Sequence, residues 1–155
     1  MKIELLFLGK TKDRFLADGI AEYAKRLSHY TTLSIKTLKS RGKPQSNDAL
    51  VKAAEGELLL KNVTRGSFLV ALDGTGKQYS SEGLSGLIDQ WEQQGRQLIT
   101  FLIGGPVGLS KEVLNRADLL LSLSRLTFTH DMVRMLLLEQ LYRAYTIKRG
   151  EKYHK

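Results

Sequence analysis

A glycine-rich turn in the second half of the chain is the first segment whose residue types point to a ligand. Residues 98–103 are apolar and predict a strand, and Gly104-Gly105-Pro106-Val107-Gly108 follows them directly. Glycine has no Cβ, so such a turn lets a bound molecule approach the backbone closely. Ligands of open α/β sheets bind at the carboxyl ends of strands. The spacing therefore favours a site that offers backbone N–H and C=O groups here.

The order of residues in this turn excludes two common phosphate-binding motifs. A P-loop requires Gly-x-x-x-x-Gly-Lys-Ser/Thr, and no such pair follows Gly108. The Gly-x-Gly-x-x-Gly motif of dinucleotide-binding proteins is also absent, including near Gly9, where a first βα unit would carry it. Two interpretations remain: a nucleoside-type cofactor held by backbone groups, or a tight strand-to-helix connection without a ligand.

Two further segments are predicted to lie at strand ends. Residues 123–130 are mostly polar and stand between a predicted strand and the longest predicted helix. Leu72 ends another predicted strand, and residues 73–76 after it predict a plain turn. Because the carboxyl ends of parallel strands meet at one edge of a sheet, the three segments are expected to converge on one pocket. Its backbone groups and apolar side chains would suit an adenine ring.

The apolar pattern that positions these segments alternates between strand and helix periods. It predicts an α/β fold, in which a mostly parallel sheet carries helices on both faces, in a single domain over residues 1–155. The second helix is expected to turn Leu50, Ala54 and Leu58 inward. The predicted strands are 2–8, 33–38, 68–72, 98–103 and 119–123, and the predicted helices are 15–27, 47–61, 81–95, 110–117 and 131–148.

The longest predicted helix is apolar on more than one face. A surface helix needs only one apolar stripe, so we expect a second face to pack on a partner subunit in a two-fold dimer. The apolar residues concerned are Met132, Val133, Met135, Leu136, Leu137, Leu138, Leu141, Tyr142, Ala144, Tyr145 and Ile147.

Composition narrows the class of protein further. The formal net charge of +8 favours polyanionic partners such as nucleic acid. The first apolar run is short and interrupted by Glu4, so it predicts a strand and not a signal peptide. No apolar run approaches membrane-spanning length, so we expect a cytoplasmic protein without membrane contact. Three histidines without cysteine or a tight His/Asp cluster predict no metal site.

Several motifs, in order along the whole chain, resemble the bacterial ribosomal RNA large subunit methyltransferase H family of the SPOUT class. Two positions depart from the family pattern, because Thr129 and Lys152 stand where proline is common. The matching segments are Leu72-Asp73, Ile103-Gly104-Gly105-Pro106-Val107-Gly108, residues 123–130, Val133-Arg134, Glu139-Gln140-Leu141-Tyr142-Arg143-Ala144 and Tyr153-His154-Lys155.

The resemblance implies an enzyme that uses S-adenosylmethionine to methylate N3 of a pseudouridine in 23S rRNA of the assembled ribosome. It also implies a homodimer and a C-terminal trefoil knot, an exception to the rule that chains are unknotted. A related SPOUT enzyme acting on another RNA such as tRNA, or a non-catalytic RNA-binding assembly factor, remain alternatives. The cofactor residues implied are Leu72, Gly104, Leu123, Ser124, Arg125, Leu126, Thr127 and Phe128.

The chemistry requires a group that accepts the N3 proton. Histidine exchanges protons near neutral pH, so His154 is the candidate base and Tyr153 its neighbour at the substrate. Arg134, Arg143 and Lys155 are the candidate contacts to RNA phosphate or to developing negative charge. The alternatives are a frayed tail and, for Arg143, an ion pair on the helix surface.

RNA contacts are also expected from two basic stretches, with a solvated surface as the alternative. If these residues contact phosphates, neutralising them is expected to lower the salt dependence of binding. The residues are Lys36, Lys39, Arg41 and Lys43 in the first stretch, and Lys148, Arg149, Lys152 and Lys155 in the second.

Overall fold

Strands and helices alternate along the chain, as the apolar periodicity predicts. The computed structural model describes residues 1–39 and 47–155. Its strands are β1 (Lys2–Leu8), β2 (Thr32–Leu38), β3 (Phe68–Lys77), β4 (Leu98–Ile103) and β5 (Leu119–Leu121). Its helices are α1 (Arg14–Leu27), α2 (Asp48–Asn62), α3 (Ser81–Gln93), α4 (Lys111–Arg116) and α5 (His130–Lys148).

The five strands form one sheet in the order β2-β1-β4-β3-β5, and every neighbouring pair is parallel. Helices α1, α3 and α5 contribute to a larger apolar cluster on one face. Helices α2 and α4 contribute Leu59 and Val113 to a smaller cluster on the other. The predicted parallel sheet with helices on both faces is therefore confirmed, and the trefoil knot stays a prediction.

Side-chain caps begin four of the helices and explain where they start. Asn47, Ser80, Ser110 and Thr129 each accept a hydrogen bond from a backbone N–H in the first turn of the following helix. Thr129 therefore supplies a cap at the position where the family pattern has proline. No helix in residues 1–39 and 47–155 is long and apolar enough to cross a membrane.

The predicted turn at residues 73–76 is wrong. Strand β3 continues to Lys77, and both Leu72 and Lys77 pair with Leu121 across an irregularity in the register. A Cβ at Gly76 would lie 2.6 Å from the carbonyl carbon of Leu120, so only glycine permits this approach of the two backbones. The extension brings β3 beside the carboxyl end of β5, where the expected pocket lies.

Candidate functional site

A cavity of about 730 Å³ lies at the carboxyl ends of β4, β3 and β5, which are neighbours in the sheet. Its volume is within the range of about 300–1,000 Å³ that is usual for small-molecule sites. The predicted convergence of three strand ends is therefore confirmed. The lining contains every residue that the resemblance implies for the cofactor: Leu72, Gly104, Leu123, Ser124, Arg125, Leu126, Thr127 and Phe128.

The glycine turn forms one wall of this cavity and is tightly folded. The N–H of Gly108 donates to the carbonyl of Gly105 over 3.0 Å, and Gly108 has a φ of +79°. Gly104 is buried, and a Cβ there would lie 3.0 Å from the carbonyl carbon of Gly108 and 3.2 Å from Leu109 Cδ2. A side chain at the first residue of the turn would therefore require Gly108 or Leu109 to shift by a few tenths of an ångström.

Residues 123–130 form the facing wall and are held by short-range hydrogen bonds. Ser122 Oγ donates to the carbonyl of Ser124 over 2.9 Å, and Ser124 Oγ accepts from the N–H of Leu126 over 2.9 Å. Leu126 is 74% exposed and Phe128 is 38% exposed. The segment therefore presents apolar side chains to the cavity and to solvent, as a wall for an aromatic ring would.

Glu55 of α2 lies behind the glycine turn, and sequence reasoning missed it. The prediction that Leu50 and Ala54 face inward is wrong, since both are exposed, Leu50 by 62%, while Glu55 is buried. Leu58 is half-buried and packs on the smaller apolar cluster, as predicted. A Cβ at Gly105 would lie 2.9 Å from Glu55 Oε2. Compared with the prediction, α2 is rotated about its axis so that it packs on α4 and supports the glycine turn. The sequence did not indicate this, because a charged residue within a helix is usually expected to face solvent.

The C-terminal tail folds back on α5 and α3 in residues 150–155, outside the lining of the cavity. Tyr153 donates from its hydroxyl to Glu139 Oε1 over 3.0 Å, and Arg143 Nε donates to the same oxygen over 3.1 Å. His154 places Nε2 at 2.8 Å from Glu82 Oε1 and Nδ1 at 3.4 Å from Arg143 Nη1. The expected ion pair of Arg143 is thus present, and it is joined to the tail.

The protonation of this cluster follows from its contacts. Burial, with hydrogen bonds to Tyr23 and Glu139, raises the pKa of Tyr153, so its hydroxyl stays protonated and donates. The Glu139 carboxylate raises the pKa of Arg143 through a hydrogen bond. Hydrogen bonds to its own backbone N–H and to His154 lower the pKa of Glu82. Glu82 is therefore ionised at neutral pH and holds the imidazole of His154.

Arg134 does not reach the expected substrate surface. Its side chain is fully buried, because the guanidinium points to the loop after β1. It donates to the carbonyls of Leu8 and Gly9 over 2.6 and 3.0 Å and pairs with Asp131 at 3.2 Å. The same carboxylate accepts from the N–H of Lys12 over 3.1 Å. Arg134 thus joins α5 to the β1–α1 loop.

Replacing Arg134 with methionine is expected to lower the free energy of unfolding by about 3–5 kcal/mol, because Asp131 is then a buried charge without its partner. Urea unfolding at neutral pH measures this. Arg14→Met is the matched control: the Arg14 side chain is 94% exposed, so its loss is expected to change stability by no more than about 0.5 kcal/mol. Equal stability of the two variants would contradict the assignment.

The other basic candidates are divided between ion pairs and open surface. Lys36 pairs with the buried Glu4 at 2.7 Å, and Lys148 pairs with Asp89 and Glu92. Lys155 is exposed. The last described position of the first stretch is Lys39, which is exposed, whereas Arg41 and Lys43 lie outside the described residues.

His130 lies in the lining of the cavity, where burial lowers its pKa against an opposing effect of Asp131. The imidazole therefore stays neutral at pH 7. In the part of the chain that the structure describes, no three His, Cys, Asp or Glu residues are grouped as metal ligands would be.

The fold and cavity define a class: α/β proteins with a parallel sheet and a cavity walled by loops at the strand ends. The family described as "Predicted SPOUT methyltransferase" matches residues 1–154. "Ribosomal RNA large subunit methyltransferase H" of Desulfotalea psychrophila is 58% identical over the full length of both chains. The protein of the same name from Halothermothrix orenii is 47% identical, also at full length. This chain belongs to the SPOUT methyltransferases, in the ribosomal RNA large subunit methyltransferase H family.

Solved structures share this fold at low sequence identity. A methyltransferase from Legionella pneumophila in complex with the bound cofactor SAM has a TM-score of 0.52 at 12% identity, over 93% of this chain and 66% of that one. A methylase family protein from Haemophilus influenzae has a TM-score of 0.51 at 13% identity, over 98% and 67%. The chain thus spans about two-thirds of those structures.

Proposed function

We propose that the chain transfers a methyl group from S-adenosylmethionine to N3 of a pseudouridine in 23S rRNA of the assembled ribosome. The observation that carries this is the cavity of about 730 Å³ at three strand ends, in a chain 58% identical to a named rRNA large subunit methyltransferase. An rRNA substrate implies a cytoplasmic enzyme.

The residues present fit this methyl donor. Its adenosine needs flat apolar walls and hydrogen bonds from backbone groups, and it carries no phosphate that would demand a P-loop. Leu72, Gly104 and residues 123–128 offer such walls and backbone groups around one cavity. When bound, the donor supplies a methyl group on a sulfonium, activated for in-line attack.

A residue of the chain must then accept the proton that leaves N3. N3 forms its new bond to carbon as the sulfur–carbon bond breaks, and the N3 proton leaves to a base. We assign that base to His154, whose imidazole is held by Glu82 at 2.8 Å. Tyr153 contributes a hydroxyl donor, and the positive charge of Arg143 favours the N3 anion.

For the RNA itself we propose contacts by Arg143 and Lys155, near the tail. Lys155 is exposed, and the guanidinium of Arg143 lies over the ring of Tyr153 at 4.7 Å. Removing a phosphate contact lowers the salt dependence of binding. Arg134 is buried, so we do not include it in this surface.

Labelled methyl transfer tests the proposed function. Intact ribosomes, free large subunits, naked rRNA and tRNA each receive enzyme and labelled S-adenosylmethionine, and the modified base is mapped. We expect label in ribosomes at N3 of one pseudouridine of the large-subunit rRNA. Label in tRNA alone would point to another SPOUT activity, and binding of the donor without any transfer would remove the assignment.

A homodimer is proposed from the outer face of α5. Helices α1 and α3 flank α5, and its half-buried Met132 lies on a different side of the helix from the buried Leu137 and Leu138. Light scattering at micromolar concentration is expected to find a particle of two 17.4 kDa chains. A Met132→Glu substitution is expected to shift the equilibrium toward the single chain, and a monomer in the unsubstituted protein would contradict the proposal.

A further inference from the structure

A second, smaller cavity lies directly beside the first. Its volume is about 290 Å³, at the low end of small-molecule sites. It lies between the start of α3 and the middle of α5, and its own walls are Tyr79, Ser80, Leu84, Leu136 and Gln140. Residues 121–124 and Phe128 line both cavities, so the two are separated only by this shared wall.

The second cavity has the proposed donor pocket on one side and the tail cluster on the other. One side is the wall of the proposed donor pocket. The other side borders the tail cluster, because Gln140 Nε2 donates over 2.8 Å to Glu139, whose other carboxylate oxygen accepts from Tyr153. A group in this cavity therefore has the donor pocket on one side and the tail cluster on the other.

The lining offers what a single planar pyrimidine needs. Leu84 and Leu136 supply apolar surface, and Tyr79 supplies a half-buried ring with Lys77 Nζ at 4.9 Å from its centroid. Enzymes that modify a base in RNA or DNA take it out of the stack, pack its faces on such side chains and read its polar edge by hydrogen bonds.

Gln140 is the polar group with the chemistry to read that edge. Its Oε1 accepts from Ser81 Oγ over 2.7 Å, and its Nε2 donates to Glu139 over 2.8 Å. These two bonds fix the plane of the amide. A second N–H on Nε2 and a second lone pair on Oε1 remain for a ligand, which match a carbonyl and an N–H of a uracil-type base.

We propose that this second cavity is the subsite for the methyl-accepting base, a uracil-type ring turned out of the RNA. Gln140 reads the N1–H and the C2 carbonyl of a pseudouridine, which leaves N3 free, and Tyr79 packs on the face of the ring, so that N3 faces the donor cavity. The inference rests on the proposed function and deepens it by naming the residues that select the acceptor.

Two substitutions and one control test the subsite on the dimeric full-length enzyme. Gln140→Leu keeps the size of the side chain and removes the amide, and Tyr79→Ala removes the ring. Each is expected to lower kcat/KM for ribosome methylation by about tenfold or more, the equivalent of a lost hydrogen bond or packing contact. Affinity for S-adenosylmethionine is expected to stay within about twofold, because neither residue lines the first cavity.

Gln90→Leu is the matched control, since it makes the same substitution at an exposed glutamine of α3 that lines neither cavity. It is expected to retain methyl transfer near the unsubstituted level. Methylation by Gln140→Leu at the full rate, or an equal loss in Gln90→Leu, overturns the subsite. If the unsubstituted enzyme methylates no ribosome, the proposed function fails separately. NMR with millimolar pseudouridine 5′-monophosphate then decides the subsite by shifts at Tyr79 and Gln140, whose absence overturns it.

Discussion

Replacing Gly104 with valine is expected to leave the chain folded and to weaken its affinity for S-adenosylmethionine by about 10- to 100-fold. A Cβ at Gly104 would already lie 3.0–3.2 Å from Gly108 and Leu109. A branched side chain must therefore push the turn into the cavity or project into it, and overpacking of this kind costs about 1–3 kcal/mol. The substitution is expected to affect ligand affinity more than folding, because the turn borders the cavity and does not lie at the centre of the sheet.

Calorimetry with S-adenosylmethionine measures the affinity, and thermal unfolding checks the fold. Gly86→Val is the matched control, because a Cβ at Gly86 on α3 meets nothing within 4 Å. Gly104→Ala is expected to fall between the two, since it adds one carbon in the same narrow space. Unchanged affinity in Gly104→Val would remove the glycine turn from the donor site.

The order of elements followed from the sequence because each segment carries its own burial pattern. Strand β4 has the predicted bounds, since both its faces are buried and Gly104 ends it abruptly. The position of β4 between β1 and β3 had no local signal, because pairing of distant strands depends on the packing of the whole sheet. The extension of β3 beyond Leu72 depends likewise on its contact with β5.

The site was predicted as far as backbone position determines it. Strand ends in a parallel sheet lie at one edge, so Leu72, Gly104 and residues 123–128 could be grouped before the structure was known. The direction of charged side chains could not be predicted. Glu55 and Arg134 are both buried, while a charge within a helix is most often on the solvent side. Only the contacts of each helix with its neighbours decide which way such a residue points.

The partners of the C-terminal tail could likewise not be predicted from the sequence. Its sequence Tyr153-His154-Lys155 could be assigned a role through resemblance, but the groups that hold it belong to α3 and α5. Glu82 and Glu139 are separated from the tail by 72 and 14 residues along the chain. The structure adds these partners, and with them a reason for His154 to be ordered.

His154→Ala is expected to lower kcat for ribosome methylation by about 100-fold or more, the usual contribution of a positioned general base. The imidazole is the group of the tail suited to accept the N3 proton, because the pKa of Tyr153 is raised and its hydroxyl already donates to Glu139. Affinity for S-adenosylmethionine is expected to be unchanged, since His154 does not line the donor cavity. Single-turnover kinetics with saturating ribosomes isolates this step.

His29→Ala is the matched control, because it removes an exposed imidazole that follows the end of α1. Glu82→Gln probes the support of the base: it keeps a hydrogen-bonding partner for His154 but removes the negative charge. If the imidazole accepts the proton, His154→Ala removes the acid limb of the pH profile, and Glu82→Gln shifts that limb to lower pH, because the carboxylate no longer stabilises the protonated imidazole. A fall in ribosome affinity with kcat unchanged would show that the tail binds RNA and that the proton leaves by another route.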